Sequence, residues 1–138
     1  MPEITYRIGN DLDLDEVIAL LKATSLGVRR PVDNRETIAR MIRHGNLTVT
    51  AWDGPLMVGI ARSLTDFSFV AYLSDLAVRE SHQRRGIGRE LIRITRGELG
   101  PAAKLVLLSA PAAVDYYPQL GFTKHPSAWT LDADEPLL

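Results

Sequence analysis

The stretch that decides the fold is LSDLAVRESHQRRGIGRELIRITRGEL, residues 73–99. It begins inside a run of large apolar residues, 72–78, which only Ser74 and Asp75 interrupt. A run of this kind is typical of a strand that is covered on both faces of a sheet, whereas a solvent-facing edge strand alternates polar and apolar residues. We therefore expect a buried strand at the start of this stretch.

Glycines and arginines follow the predicted strand. Residues 83–88 read QRRGIG and precede a helical pattern in which Ile87, Leu91 and Ile94 share one face. The backbone N–H groups of such a loop can point at an anion at the positive end of the helix dipole, and arginines can add charge-assisted contacts to phosphate. Taken alone, the loop also fits an ordinary turn with solvated arginines. The first hypothesis from these residues is a diphosphate ligand.

The composition is that of a soluble globular protein. The chain of 138 residues suffices for one ordinary domain, and its hydrophobic and charged shares of 46% and 24% exclude a disordered chain. The net charge of -1 provides no global basic field for nucleic acid, and no apolar run approaches the roughly 20 residues of a membrane span. Since no signal-peptide pattern is present either, we expect a cytoplasmic protein without nucleic-acid or membrane partners.

The sequence contains no cysteine. This excludes a disulfide scaffold, a thiolate nucleophile and a cysteine-based zinc site. The histidines His44, His82 and His125 lie far apart in the sequence, and we interpret each as a surface or capping residue. We therefore expect no metal site.

The residues before this stretch predict two helices and an antiparallel meander of strands. Asp13 is the predicted cap of the first helix. Asp33 or Asn34 caps the second, which Gly45 is expected to end in a left-handed conformation. Residues 25–32 have no period and predict a loop. The predicted strands are residues 4–8, 47–52, 57–64 and 69–78, with Asp53-Gly54-Pro55 as a hairpin turn.

The residues after this stretch predict a parallel crossover. Residues 104–109 form a continuous apolar run, and the order strand, helix, strand predicts that the two strands are parallel neighbours. A short helix is predicted over 111–119, with Gly121 as its stop, and residues 122–131 are strand-like. Because no linker or repeat interrupts the chain, we expect a single domain, 1–138.

Two familiar phosphate signatures fail on particular residues. The dinucleotide fingerprint requires a glycine where this chain has Leu91. The P-loop requires Gly-Lys-Ser or Gly-Lys-Thr where the chain has Gly88-Arg89-Glu90. The pattern that is left is Gln83-x-x-Gly86-x-Gly88.

This pattern stands between Leu76-Ala77-Val78 and the segment YPQLGF, residues 117–122. The combination resembles the GCN5-related N-acetyltransferase (GNAT) family, and the order of elements matches from about residue 4 to residue 131. The resemblance implies an α/β (α+β) fold with a mixed, mostly antiparallel sheet that contains a splayed parallel strand pair and is flanked by helices. The splayed strands would be residues 72–78 and 104–109.

The resemblance also implies a binding site for acetyl-CoA. The pantetheine arm would enter the gap between the splayed strands, and the pyrophosphate would lie on the N–H groups of the glycine loop. The implied coenzyme-binding residues are Leu76, Ala77, Val78, Gln83, Arg84, Arg85, Gly86, Ile87, Gly88 and Arg89. Pro111 departs from the family pattern, because many relatives have an asparagine there that contacts the coenzyme.

Two residues are candidates for the chemistry. Tyr117 aligns with the family tyrosine that protonates the departing thiolate, whereas its neighbour Tyr116 is interpreted as a packing residue. Asp75 is a carboxylate in an apolar strand, so it is either the base for the acceptor ammonium or a hydrogen-bond partner of backbone or a nearby arginine. A backbone N–H near residues 76–78, freed by the splay or by a bulge, would stabilise the oxyanion. Other candidate bases without support from spacing are Asp66, Glu36 and His82.

The implied function is transfer of the acetyl group of acetyl-CoA to a primary amine by direct attack, and we expect a small-molecule acceptor. The absence of cysteine supports direct attack over a thiol intermediate. A non-catalytic acyl-CoA sensor and a protein lysine or N-terminal acetyltransferase are the alternatives. A homodimer is possible by resemblance.

Four further residues carry weaker hypotheses. Arg29 and Arg30, in the predicted loop, are solvated cations or recognise an anionic group on the acceptor. Trp52 and Trp129 lie in strand-like runs and are interpreted as core or sheet-face residues, with the lining of an acceptor pocket as the alternative for Trp129.

Overall fold

The protein contains five strands and four α-helices in residues 3–138, which its computed structural model describes. The strands are β1 (Ile4–Ile8), β2 (Leu47–Asp53), β3 (Leu56–Thr65), β4 (Val70–Val78) and β5 (Lys104–Val106). The helices are α1 (Leu14–Lys22), α2 (Arg35–His44), α3 (Ile87–Gly97) and α4 (Tyr116–Gln119). The chain forms two compact units, one ending at Leu108 and the other comprising Ser109–Leu138. The ends of the four strands predicted before α3 agree with the structure to within one residue.

The strands of the first unit form one sheet in the order β1-β2-β3-β4-β5. Neighbours from β1 to β4 are antiparallel, and β4 with β5 is parallel. The predicted mixed, mostly antiparallel sheet with a parallel pair is therefore confirmed. The parallel pairing is short, since it joins Val70 to Lys104, Ala71 to Leu105 and Tyr72 to Val106. Beyond Tyr72, β4 has no strand partner on this side among the described residues.

Helices pack on both faces of this sheet. Helices α1 and α2 form a core cluster with sheet residues that include Ile60 and Ala77. The neighbouring residue Gly59 faces the opposite side, because successive strand residues point to opposite faces. There a side chain on Gly59 would lie 3.1 Å from Leu91 Cδ1 and 3.3 Å from Ile87 Cγ2, both in α3. Helix α3 therefore approaches the sheet at a glycine.

Side-chain caps set the starts of the first two helices. The Asp13 carboxylate accepts from the N–H groups of Asp15 at 2.8 Å and Glu16 at 3.2 Å, which confirms the predicted cap of α1. Asn34, rather than Asp33, caps α2, since its side-chain oxygen accepts from the Thr37 N–H at 3.1 Å. Of the two caps that the sequence allowed for α2, the structure therefore selects Asn34.

The end of α2 differs from its prediction. Gly45 has φ -77, so the predicted left-handed stop is wrong. The glycine is required for space, because an added Cβ would lie 2.8 Å from Cγ of the Arg62 side chain. The local sequence can suggest that a glycine after a helix is left-handed. It cannot show that the Arg62 side chain, from a strand distant in sequence, lies close to Gly45.

Strand β4 also differs from the prediction of two covered faces. Burial alternates along it: Ala71, Leu73, Asp75 and Ala77 are buried, whereas Tyr72, Ser74, Leu76 and Val78 are exposed or half-buried. The prediction of two covered faces is therefore wrong. Large apolar side chains supply much of a folded protein's accessible surface, so an apolar run does not by itself require two covered faces.

The predictions after α3 are corrected in three places. Strand β5 ends at Val106, so the strand predicted over 104–109 is too long. The helix predicted over 111–119 is a 3₁₀ turn, Pro111–Ala113, followed by α4, although Gly121 ends it with φ +94 as expected. No strand forms over 122–131 in the described chain, which contains Pro126 without a ladder N–H.

The two tryptophans differ in burial. Trp52 is buried in the core cluster, as predicted. Trp129 is 92% exposed, so its interpretation as a core or sheet-face residue is wrong. A strand-like pattern without a partner strand leaves its apolar side chains uncovered.

Residues 3–138 contain neither a helix that could span a membrane nor a candidate metal cluster. No helix there has the length and apolar character needed to cross a membrane. No three His, Cys, Asp or Glu side chains in the same residues are grouped so that they could hold a metal ion.

We predict opposite effects on stability for two glycine substitutions. Gly59→Ala would force its Cβ against Leu91 and Ile87, so we expect a loss of about 1–3 kcal/mol of unfolding free energy. Gly97→Ala, in α3, places its added Cβ more than 4 Å from every neighbour within residues 3–138, so it should be neutral or stabilising by up to about 1 kcal/mol. Urea denaturation of both variants measures the difference, and equal effects would contradict the close approach of α3.

Candidate functional site

The unpaired part of β4 presents backbone groups to the side away from β3. The N–H of Arg79, just after β4, donates to the Val58 oxygen at 2.9 Å, so the backbone N–H of Arg79 points toward β3. Backbone direction alternates along a strand, and therefore Leu76 and Val78 direct their N–H and C=O groups away from β3. The Gln83 side chain donates to the Val78 oxygen at 3.0 Å, which agrees with this direction. Ala77 faces β3 with its backbone and the helical core with its side chain.

A β-bulge lies just before this segment. Arg62 and Ser63 are consecutive in β3, but they pair with Asp75 and Leu73. Ser74 is thus an extra residue in β4, and such a bulge bends the strand and increases its twist. The bulge is two residues before Leu76, at the place where pairing with β5 has already ended.

The glycine loop leads from β4 into α3. Arg84 and Gly86 have positive φ values of 63° and 76°, and Gly86 caps α3 without a side-chain hydrogen bond. The N–H groups of residues 86–89 donate to no other group within residues 3–138. Four donors at the positive end of the helix dipole form a site suited to an anion. The left-handed conformation of Arg84, a residue with a Cβ, costs about 1–2 kcal/mol.

Asp75 is held by two arginines. Its side chain is 3% exposed, and Oδ1 accepts from Arg30 Nε while Oδ2 accepts from Arg62 Nε, each at 2.6 Å. Arg30 Nη2 also donates to the backbone carbonyl oxygen of Ser74 at 2.7 Å, and Arg62 Nη2 donates to the hydroxyl oxygen of Ser74 at 3.0 Å. Arg62 Nη1 reaches the Met41 oxygen at 3.3 Å. These contacts join the loop after α1, the end of α2 and the bulge of β4.

These contacts favour the interpretation of Asp75 as a hydrogen-bond partner of nearby arginines over its interpretation as a base. Both carboxylate oxygens accept from a guanidinium, and the side chain is only 3% exposed, so an acceptor amine has little access to it. Its catalytic role stays a prediction. Arg62 was missed by the sequence analysis, although an arginine inside the apolar run 57–64 is the signal that could have revealed it.

The other candidate bases are engaged in local contacts. Asp66 Oδ1 accepts from the N–H groups of Phe69, Val70 and Ser68, and these bonds lower the pKa of its carboxyl. Glu36 forms an exposed ion pair with Arg40 at 2.8 Å. These contacts explain Asp66 as a turn residue and Glu36 as a surface residue.

His82 is buried, so its interpretation as a surface or capping residue is wrong. Its Nε2 lies 2.8 Å from Asp53 Oδ2, and its Nδ1 lies 2.7 Å from Ser81 Oγ. The imidazole therefore connects the end of β2 to the 3₁₀ turn Glu80–His82, which precedes the glycine loop.

The second unit contains the tyrosine pair. The ring of Tyr117 packs edge-on against Phe122 at 5.4 Å and against Tyr116 at 5.3 Å between centroids. The Phe122 N–H donates to the backbone carbonyl oxygen of Tyr117 at 3.1 Å, which closes the turn at Gly121. Burial, and secondarily the neighbouring Tyr116, raises the pKa of Tyr117. Its phenol therefore keeps its proton at neutral pH.

Comparison with known proteins now assigns the family. Residues 23–131 match the family described as "Acetyltransferase (GNAT) domain". The chain belongs to the GNAT family. The resemblance inferred from the glycine loop and the YPQLGF segment is thereby confirmed, and membership supports acyltransferase activity.

Individual relatives agree with this assignment. An uncharacterised ycf52-like N-acetyltransferase from Prochlorococcus marinus is 27% identical over 121 residues. That match covers 83% of this chain and 65% of the relative, so the chain spans less than two thirds of that protein's length.

Solved structures show the same fold. A GNAT-family acetyltransferase from Streptococcus pneumoniae TIGR4 superposes with a TM-score of 0.77 at 24% identity, covering 96% of this chain and 100% of that one. An aminoglycoside N-acetyltransferase, AAC(6')-Iy, in complex with CoA superposes with a TM-score of 0.74 at 16% identity, covering 97% of each chain.

We predict that Tyr117 titrates above an ordinary tyrosine in the folded protein. A raised pKa means that the folded state favours the neutral phenol over the phenolate. The free energy of unfolding therefore decreases as pH rises from the pKa of Tyr117 in the unfolded chain through its higher pKa in the folded protein. Phenolate absorbance against pH, in buffer and in denaturant, measures the shift. Tyr117→Phe should remove one high-pH titration, and Tyr116→Phe should lower the pKa of Tyr117. A Tyr117 titration that is equal in buffer and denaturant would contradict the prediction.

Proposed function

We propose that the protein transfers the acetyl group of acetyl-CoA to a primary amine of a small molecule by direct attack. One observation carries the proposal: the unpaired edge of β4 leads into a loop whose N–H groups at residues 86–89 are available to an anion. An extended chain with amide groups and a diphosphate, as in CoA, matches this order of features. A single domain, a cytoplasmic location and possible homodimer formation belong to the same proposal.

Each part of the coenzyme has a proposed partner. The diphosphate lies on the N–H groups of residues 86–89, beside the side chains of Arg84, Arg85 and Arg89. The pantetheine arm pairs with the outward-facing backbone groups of Leu76 and Val78. Ala77 separates these two residues, and Gln83 orients the loop through its bond to the Val78 oxygen.

The chemistry needs an oxyanion donor and a proton for the thiolate. The amine nitrogen forms a bond to the thioester carbonyl carbon, and the outward N–H of Leu76 donates to the oxyanion. The carbon–sulfur bond then breaks, and the Tyr117 phenol gives its proton to the thiolate. The nitrogen, which is positively charged after the attack, loses its proton to solvent, and the Tyr117 phenolate takes a proton back from solvent. We assign Asp75 a positioning role, because two guanidinium groups hold its carboxylate and its side chain is only 3% exposed.

The first test separates the diphosphate from the rest of the coenzyme. CoA should bind at least about tenfold more tightly than pantetheine, which lacks the diphosphate and nucleotide, because charge-assisted bonds to an anion are each worth roughly 1.5–3 kcal/mol. Titration calorimetry with both ligands measures the difference. Equal affinity would overturn the assignment of the loop.

The second test concerns the acid. Tyr117→Phe should keep CoA affinity and lose about 10²–10⁴-fold in turnover of an amine, the range for a general acid. Tyr116→Phe is the matched control, and it should keep most of the turnover. Thiol release with a panel of amines measures both. An unchanged rate in Tyr117→Phe would remove the acid role, and a lack of turnover of any amine by the parent protein would favour a sensor.

A further inference from the structure

Arg30, Asp75 and Arg62 form a cluster with excess positive charge. Two guanidinium groups face one carboxylate, so the cluster carries a net charge of +1 when all three groups are ionised. The side chains of Asp75 and Arg62 are 3% and 7% exposed. Charges in such surroundings are screened less than surface charges, and their field extends further into a neighbouring site.

The cluster is next to the segment where the acceptor must react. Arg30 and Arg62 both donate to Ser74, which lies two residues before Leu76. At about 3.3 Å per strand residue, the separation along β4 is about 7 Å. This step rests on the proposed function, which places the thioester at the outward N–H of Leu76. The excess charge thus lies close to the approaching amine.

Arg30 is the most solvent-exposed residue of the cluster. Its side chain is 20% exposed, and it uses Nε, one N–H of Nη1 and one N–H of Nη2 for Asp75, the Arg29 oxygen and the Ser74 oxygen. A guanidinium has five N–H donors, so two of them have no partner within residues 3–138. A forked donor of this kind suits a carboxylate or phosphate oxygen.

The charge balance also disfavours some acceptors. The one carboxylate of the cluster is held by two guanidinium groups and its side chain is only 3% exposed, so an ammonium group on the acceptor has little access to it. Asp33, three residues after Arg30, is exposed at the surface. A second positive charge on the acceptor would therefore be repelled by the cluster rather than bound.

We propose that the Arg30–Asp75–Arg62 cluster selects acceptors that carry a carboxylate or phosphate close to the reacting amine, and that it disfavours polycationic amines. This would distinguish the chain from the aminoglycoside acetyltransferase that it resembles in fold, since aminoglycosides are polycations.

Matched acceptor pairs test this selection. The pairs are an α-amino acid with its α-amide, and phosphoethanolamine with ethanolamine, together with spermidine and an aminoglycoside. In thiol-release assays the anionic member of at least one pair should have a kcat/KM about tenfold or more above its neutral partner, because one favourable charge contact is worth about this factor. The pair that shows the difference identifies the carboxylate or the phosphate.

Three variants test the role of charge. Arg30→Gln removes the excess charge and should abolish the preference within the pair, measured as the ratio of the two kcat/KM values in the same variant, so that a general loss of activity cancels. Arg30→Lys keeps the charge but not the fork, so it should retain more of the preference than Arg30→Gln; equal losses in the two variants would indicate that Arg30 acts only through its structural contacts. Arg43→Gln, an exposed arginine of α2, is the control and should leave the preference unchanged.

Three results would overturn the inference. A preference for the neutral or polycationic acceptors would contradict it while leaving the proposed acetyltransferase function intact. An absence of thiol release with every amine would remove the proposed function, and the inference with it. A preference that survives Arg30→Gln would also contradict it.

Discussion

The parallel pairing of β4 with β5 ends after three residues, and the proposed site depends on this limit. Beyond Tyr72 and Val106, no strand in residues 3–138 pairs with this edge of β4, so Leu76 and Val78 retain outward backbone groups. An unpaired strand edge is a liability in most folds because it invites pairing with another chain. Here it stands directly before a loop with available N–H donors, so an extended ligand with an anionic end can use both.

The ion pairs of Asp75 hold the other side of this edge. Taking a buried pair apart by removing one partner costs about 3–5 kcal/mol, so the cluster constrains the bulge at Ser74 strongly. Gly45 belongs to the same arrangement, since a larger residue would meet the Arg62 side chain. A glycine at the end of α2 and a serine in β4 are thus explained by one arginine in β3.

Local patterns predicted the first unit well. The cap at Asp13, the hairpin at Gly54 and the four strands before α3 follow from short-range rules of capping, turn chemistry and alternation. The segment after β5 was predicted poorly. Residues 122–131 are apolar enough for a strand, but a strand also needs a partner with the right register, and the sequence of the segment alone does not contain that partner.

The sequence by itself determined the strand, glycine loop and helix around Gly86, because their residues are contiguous and their geometry depends on local backbone preferences. It also determined membership of the GNAT family through motifs in a fixed order. Only the tertiary structure decided how Asp75 is used, since Arg30 and Arg62 are 45 and 13 residues away from it along the chain. The tertiary structure likewise decided which backbone N–H and C=O groups of β4 have no strand partner, because strand pairing is a long-range contact that no local pattern specifies.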